Sequence, residues 1–164
     1  MIRPAVSISL LALTAVLLAP GPSATSAPPT PTDPAPEILA AGEACEFAIS
    51  VVSTGKEGFI ELAANPQFSA IAPAPGLKLT VTNLEDPDRS VTVNATGAFR
   101  FVDQPDGSTE IRAGGHNFLY GETEIGATAL ATTGPVTLEI SPDGDFVGMD
   151  LSQARVRDLC AELA

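Results

Sequence analysis

The chain contains a single histidine, His116, which is the one imidazole that could act as a general base near neutral pH. It follows Gly114-Gly115 and precedes Asn117. Serine and threonine are plentiful, but none lies in the G-x-S-x-G turn that activates a serine nucleophile. This context favours a tight turn over a catalytic centre, and His116 with Asn117 stays the candidate site of a small hydrolase.

Acidic side chains offer a second kind of chemistry, because glycoside hydrolysis uses two carboxyl groups across a cleft. Two groups of acids lie close enough in sequence to form such a pair. One is Glu122 with Glu124, on one side of a strand, and the other is the loop acids Glu85, Asp86 and Asp88. The chain has 20 acidic residues, no tryptophan and one tyrosine with which to stack a sugar ring. A solvated acidic surface is therefore the favoured interpretation.

Two short loops carry the oxygen ligands that calcium prefers, at residues 103–107 (Asp-Gln-Pro-Asp-Gly) and 143–145 (Asp-Gly-Asp). Neither matches the twelve-residue EF-hand loop or a glycine-rich nonapeptide repeat, and Asp-Gly is also the sequence that a hairpin turn demands. The sequence favours turns here, so we expect neither a metal ion nor another cofactor.

The two cysteines, Cys45 and Cys160, lie 115 positions apart and enclose most of the chain. In an exported protein such a pair is expected to form one disulfide. A redox pair or a pair of metal ligands is the alternative, although no C-x-x-C spacing supports either.

The N-terminal sequence predicts export. Arg3 precedes an apolar run of about 15 residues and the breakers Pro20-Gly21-Pro22, which is the order of a secretory signal peptide and is shorter than the ~20 residues of a membrane span. We expect cleavage after Ser26, with Ala27 as the alternative, and no membrane insertion afterwards. Residues 1–26 are then the signal peptide, 27–44 a Pro-rich disordered tether, and 45–164 one domain that is secreted, either extracellular or associated with the cell wall.

The net charge of −12 restricts the partners that the protein can have. So acidic a chain repels phosphate backbones and anionic lipids, and it has no basic cluster to overcome that repulsion. Nucleic acid is excluded as a partner, and an extracellular protein, a glycan or a small ligand is expected instead.

Period-two alternation of apolar and polar residues dominates the chain after Cys45. The clearest stretch, residues 77–102, predicts a hairpin, and Gly97 on its inward row suggests a bulge or a bend over a sheet corner. Phe47, Phe99 and Phe101 are predicted core residues. About 8–10 short strands with turn residues between them predict an antiparallel β-sandwich or partly closed barrel.

Only the C-terminal tail has helical character, with apolar residues at Val156, Leu159, Cys160 and Leu163. Asp150 or Ser152 could cap this short helix or turn, and strand pairing through residues 155–158 is the competing interpretation.

Several motifs occur in a recognisable order, among them Cys45-Glu46-Phe47, residues 74–77 (Ala-Pro-Gly-Leu), residues 90–97 (Ser-Val-Thr-Val-Asn-Ala-Thr-Gly), Gly115-His116-Asn117 and residues 156–161 (Val-Arg-Asp-Leu-Cys-Ala). In this order the chain resembles an uncharacterised family of small secreted actinobacterial all-β proteins. The resemblance implies the fold and the export, and it implies no activity or functional residue.

Three functions follow as hypotheses. The first is a non-enzymatic binding module of the cell envelope or extracellular space, since the usual catalytic constellations are missing. The second is an inhibitor of a secreted hydrolase that presents residues 72–76 (Ala-Pro-Ala-Pro-Gly) as a rigid loop. The third is a small hydrolase that uses His116 and nearby carboxylates.

Overall fold

The computed structural model describes residues 27–62, 65, 67–123 and 126–164, so the predicted signal peptide lies outside the described residues. The secondary structure of the described residues is mostly β-strand, as predicted, with one short C-terminal helix. Its elements are β1 (Thr30–Pro31), β2 (Glu37–Leu39), β3 (Ile49–Thr54), β4 (Lys56–Glu57), β5 (Ile60–Glu61), β6 (Ala70–Pro73), β7 (Lys78–Asn83), β8 (Ser90–Asn94), β9 (Ala98–Asp103), β10 (Thr109–Gly114), β11 (His116–Thr123), β12 (Gly126–Thr133), β13 (Val136–Ile140), β14 (Phe146–Asp150), β15 (Arg155–Asp158) and α1 (Leu159–Leu163). No helix among these residues is both long and apolar enough to cross a membrane.

The strands form antiparallel sheets that do not close into a barrel. A four-stranded sheet has the order β2-β3-β7-β8, a three-stranded sheet the order β11-β12-β15, and a six-stranded sheet the order β14-β13-β10-β9-β6-β5. β1 and β4 form a separate two-stranded sheet. The predicted hairpin within residues 77–102 is confirmed for β7 and β8, in which Leu79 faces Val93 and Val81 faces Val91.

The first hydrophobic core lies between the four-stranded and three-stranded sheets. Alternate residues of β3 and β7 enter it, and Ile49, Val51 and Val81 are at most 1% exposed. Phe118, Ala129 and Ala131 enter it from the other sheet, since alternate residues of a strand point to the same face. The sandwich architecture follows from these two apolar faces.

Glycines mark the points at which strands leave one sheet for another. β10 and β11 are consecutive strands that belong to different sheets, and so are β12 and β13. A hydrogen bond from Gly134 N to Gly115 O (2.8 Å) links the β10–β13 pair to the β11–β12 pair. Both glycines have positive φ (+82° at Gly115 and +115° at Gly134), which other residues rarely adopt. A single long hairpin therefore contributes to both halves of the molecule.

Gly97 occupies a sheet corner, as predicted. It lies between β8 of the four-stranded sheet and β9 of the six-stranded sheet, and its N–H donates to His116 O (2.7 Å). The predicted common face of residues 91–101 divides at this corner. Val93 belongs to the first core, whereas Phe99 and Phe101 pack on the second.

The second core lies on one face of the six-stranded sheet. Register aligns its residues in cross-strand rows, and one row runs Glu61, Ala70, Phe101, Ile111, Leu138, Met149. Ile111 and Leu138 in the middle of this row are buried, and Leu119, Leu151 and Ala154 pack against the same cluster. Phe101 stays only half-buried. The apolar face is thus covered over part of its width.

The predicted disulfide joins Cys45 to Cys160, with their Cα atoms 5.4 Å apart. The chain ends in a short helix, α1, that buries Leu159 and Leu163 in the first core. The predicted caps are wrong, because Asp158 is the N-cap and accepts from Ala161 N (3.1 Å). The preceding residues Arg155–Asp158 pair with β12 as an edge strand, which was the competing interpretation.

Part of the segment predicted as a disordered tether is paired to the domain instead. Residues 37–39 form β2 at the edge of the four-stranded sheet, with Leu39 buried, and residues 30–31 pair with β4. Tyr120 O–H donates to Glu37 Oε1 (3.2 Å) across the sandwich. Burial, reinforced by the charge of Glu37, raises the pKa of Tyr120. Leu39 supplies the apolar burial that the proline-rich residues lack.

Candidate functional site

The structure separates the two residues of the predicted hydrolase site. His116 and Asn117 are neighbours at the start of β11, so their side chains point to opposite faces of the sheet. His116 is exposed, whereas Asn117 is 1% exposed. They cannot act together on one substrate.

The surroundings of His116 lack the partner that a general base needs. Its Nδ1 lies 3.0 Å from Thr133 Oγ1 on the paired strand β12. Among the described side chains, no carboxylate forms an ion pair with this imidazole. A histidine without an orienting acid, exposed at the first residue of a strand, has the features of a strand residue more than those of a catalytic triad.

Asn117 has a structural role at the corner beside Gly97. Its Nδ2 donates to Thr132 Oγ1 (3.3 Å), and its Oδ1 is buried without a hydrogen-bond partner in the described part of the chain. A Cβ atom built on Gly97 would overlap Oδ1 and would lie 2.6 Å from the carbonyl oxygens of both Gly114 and His116. The amide therefore fills the space that the missing side chain of Gly97 leaves open.

The paired acids do not form a catalytic dyad in the described structure. The side chains of Glu122 and Glu124 lie outside the described residues. The other group forms the exposed turn between β7 and β8, where Asn83 Oδ1 accepts from Glu85 N (2.8 Å) and Asp86 forms an ion pair with Arg89 (3.2 Å). Asp88 is likewise exposed in this turn.

Both Asp-Gly loops are hairpin turns. Gly107 N donates to Gln104 O, and Gly144 N donates to Ser141 O (both 3.0 Å), with φ +89° at each glycine. The hydroxyl and the backbone N–H of Ser108 lower the pKa of Asp106 by hydrogen bonding to it. Within the described ranges, no three acids, histidines or cysteines are grouped so that they could hold a metal ion.

A cleft of about 650 Å³ opens at one end of the six-stranded sheet. We call it the aromatic groove. The part of the chain that the structure describes lines it with aromatic, aliphatic and polar residues of the 59–70 segment and of β9 and β10, namely Phe59, Glu61, Leu62, Asn65, Gln67, Phe68, Ser69, Ala70, Phe101, Val102, Asp103 and Thr109. It continues the incompletely covered apolar face of the second core.

The register explains how two acids enter this apolar face. Glu61 faces Ala70, which in turn faces Phe101, so the three side chains share one face. Asp103 lies two residues beyond Phe101 and therefore points to the same face. It accepts a hydrogen bond from Ser69 Oγ (3.0 Å), and both acids remain exposed to solvent.

The aromatic rings of the groove are held in defined positions. Phe59, which is 41% exposed, meets Phe101 edge to face with ring centroids 5.6 Å apart. The guanidinium of Arg100 lies 5.8 Å from the ring centroid of Phe68. Arg100 alternates with Phe101 along β9 and so belongs to the opposite face of the sheet, outside the groove lining.

Sequence reasoning did not find this groove. It placed Phe101 in a closed core and Asp103 in a turn, and it gave Phe59, Glu61 and Phe68 no role. A weak signal was present, because alternate residues change from phenylalanine to an acid at two places (Phe59 to Glu61 at β5, and Phe101 to Asp103 in β9). An acid in an inward row marks a place where the apolar face opens to water.

Comparison of the chain with protein-family models, curated proteins and solved structures finds no match. The resemblance to a family of small secreted proteins stays a prediction.

Proposed function

We propose that the protein is an exported, non-enzymatic binding module that takes a small apolar ligand in the aromatic groove. The observation that carries this proposal is the partly covered apolar face of the six-stranded sheet, which ends in an open cleft beside Phe59 and Phe101. Folded domains bury such surface when they can, because each exposed apolar Å² costs about 25 cal/mol. An open cleft lined by partly exposed aromatic rings favours a ligand that completes the burial of those rings.

The size of the cleft supports a small molecule over a folded protein partner. Its volume of about 650 Å³ lies within the range of roughly 300–1,000 Å³ that is typical of small-molecule sites. The polar side chains at its rim, Asn65, Gln67 and Ser69, could orient such a ligand. These are the features of a binding site, and none of the lining residues is a histidine or a cysteine.

Export is part of the same proposal. The signal-peptide pattern of residues 1–26 supports it, and the Cys45–Cys160 disulfide is compatible with an oxidising compartment. The six-stranded sheet would then meet its ligand in the cell envelope or outside the cell.

The two other hypotheses gain no specific support. His116 lacks an acid partner among the described side chains. In the inhibitor hypothesis, residues 72–76 form the contact loop, yet Ala72 and Pro73 are paired with β9 and only Pro75 and Gly76 are exposed. Both hypotheses stay predictions.

Binding of a neutral fluorescent probe, 1-N-phenylnaphthylamine, tests the proposal on protein secreted by an exporting host with its disulfide intact. We expect saturable binding at one site, and Phe59→Ala should weaken it about tenfold through lost ring contact. The control is Leu84→Ala, because Leu84 is equally exposed (42%, against 41% for Phe59) and lies in the β7–β8 turn. Absence of saturable binding, or equal effects of the two variants, would refute the proposal.

A further inference from the structure

We infer that the ligand of the aromatic groove is an apolar organic cation. This inference rests on the proposed function and specifies the charge of the ligand. The groove places two carboxylates, those of Glu61 and Asp103, on the same sheet face as Phe101. Such an arrangement complements a molecule that has an apolar body and a positive group.

Neither carboxylate is neutralised by a basic side chain. In the described ranges, the ion pairs join Arg89 to Asp86, Arg112 to Glu110 and Arg157 to Glu162. None of the lining residues is basic, and the residues of this segment outside the described ranges (two alanines and one proline) carry no charge. The negative charge of the groove is therefore available to a ligand.

The spacing of the acids fits a small ligand that lies between them. Glu61 and Asp103 are separated by two strand spacings and two residues along β9, which places their Cα atoms about 12 Å apart. Phe101 lies in the same cross-strand row as Glu61 and two residues before Asp103, and its ring contacts that of Phe59. A positive group near either carboxylate would leave its apolar body against the rings.

Aromatic rings add to the preference for a cation. The negative face of a benzene ring attracts organic cations and adds little for neutral molecules of the same shape. The ring of Phe68 already has a guanidinium near it, that of Arg100 on the opposite sheet face. Phe59 and Phe101 have their own ring surfaces at the groove, and the net charge of −12 favours approach of a cation at low ionic strength.

The test compares two amphiphiles with the same tail, decyltrimethylammonium and decyl maltoside, each below its micellar concentration. Both are titrated against bound 1-N-phenylnaphthylamine at low salt. We expect the cation to displace the probe at about tenfold lower concentration than the maltoside does. This ratio corresponds to one solvent-screened contact with a carboxylate and one contact with an aromatic ring. In 0.5 M salt this ratio should fall to about threefold.

The double variant Glu61→Gln/Asp103→Asn should reduce the ratio to about twofold. Both amphiphiles compete with the same probe on the same protein, so a change in probe affinity cancels from this ratio. Glu85→Gln, which removes one charge from the β7–β8 turn, is the control for a general effect of net charge and should leave the ratio unchanged. Equal displacement by the two amphiphiles, or a preference that is undiminished in the double variant, would overturn the inference and leave the proposed function standing. Failure of the neutral probe to bind the unmodified protein would overturn both.

Discussion

Replacement of Gly97 by alanine should destabilise the protein, because the added methyl group has no space at this corner. A Cβ atom at this position would lie 2.6 Å from the carbonyl oxygens of Gly114 and His116 and would overlap the amide of Asn117. The first two obstacles are backbone atoms of the ribbon that joins the two cores, so they cannot rotate away. The corner would have to open.

The expected loss combines two costs. Overpacking of a well-filled site costs typically 1–3 kcal/mol. Opening the corner also weakens the hydrogen bond from Gly97 N to His116 O, whose net worth is about 1 kcal/mol. We expect the free energy of unfolding to fall by about 3 kcal/mol, which corresponds to a decrease in Tm of roughly 10 °C for a domain of this size.

Urea unfolding followed by far-ultraviolet circular dichroism measures this loss. Gly114→Ala is the matched control, because Gly114 lies in the same corner and a Cβ there would meet nothing within 4 Å. The free energy of unfolding of this control should not fall, and it should rise by up to about 1 kcal/mol because alanine makes the unfolded chain less flexible. If Gly97→Ala were as stable as Gly114→Ala, the packing of Asn117 and the ribbon against Gly97 would be wrong.

Two further predictions concern the disulfide and the single tyrosine. Cys45→Ala/Cys160→Ala should lower the free energy of unfolding by about 4 kcal/mol, since the bond closes a loop of 115 residues, and a loss below about 1 kcal/mol in urea unfolding would contradict this. Burial raises the pKa of Tyr120 above its ordinary value of 10.0, so the unfolded chain releases the phenol proton at a lower pH than the folded protein does. The contribution of the neutral phenol to the free energy of unfolding is therefore intact below pH 10 and is lost as the pH rises further. Absorbance at 295 nm should therefore show tyrosinate only as the protein unfolds, and Tyr120→Phe should be less sensitive to alkali. Tyrosinate in the folded protein near pH 10 would contradict this.

The strands could be predicted from the sequence because their signal is local. Alternation of apolar and polar residues in β3, β7 and β8 reflects one buried face, and Gly97 marks a corner through the absence of a side chain. The disulfide could also be predicted, because the chain has only two cysteines. Each of these features depends on residues that are close in sequence or on simple counting.

The groove could not be predicted, because it depends on which strands become neighbours. Glu61 reaches the face of Phe101 only because β6 lies between β5 and β9. The division of residues 91–101 between two cores has the same origin, since period-two alternation does not reveal where a strand changes sheets. The cap of α1 was missed because Arg155–Asp158 pair with β12, which moves the start of the helix to Leu159.

A chemical-shift titration of ¹⁵N-labelled, disulfide-intact protein with 1-N-phenylnaphthylamine would locate the ligand on the molecule. We expect the amides that change most to belong to the groove, including those of Phe59, Gln67, Phe101 and Thr109, while those of His116 and the β7–β8 turn stay unchanged. Changes centred on His116, or none at a saturating concentration of probe, would contradict a binding site in the aromatic groove.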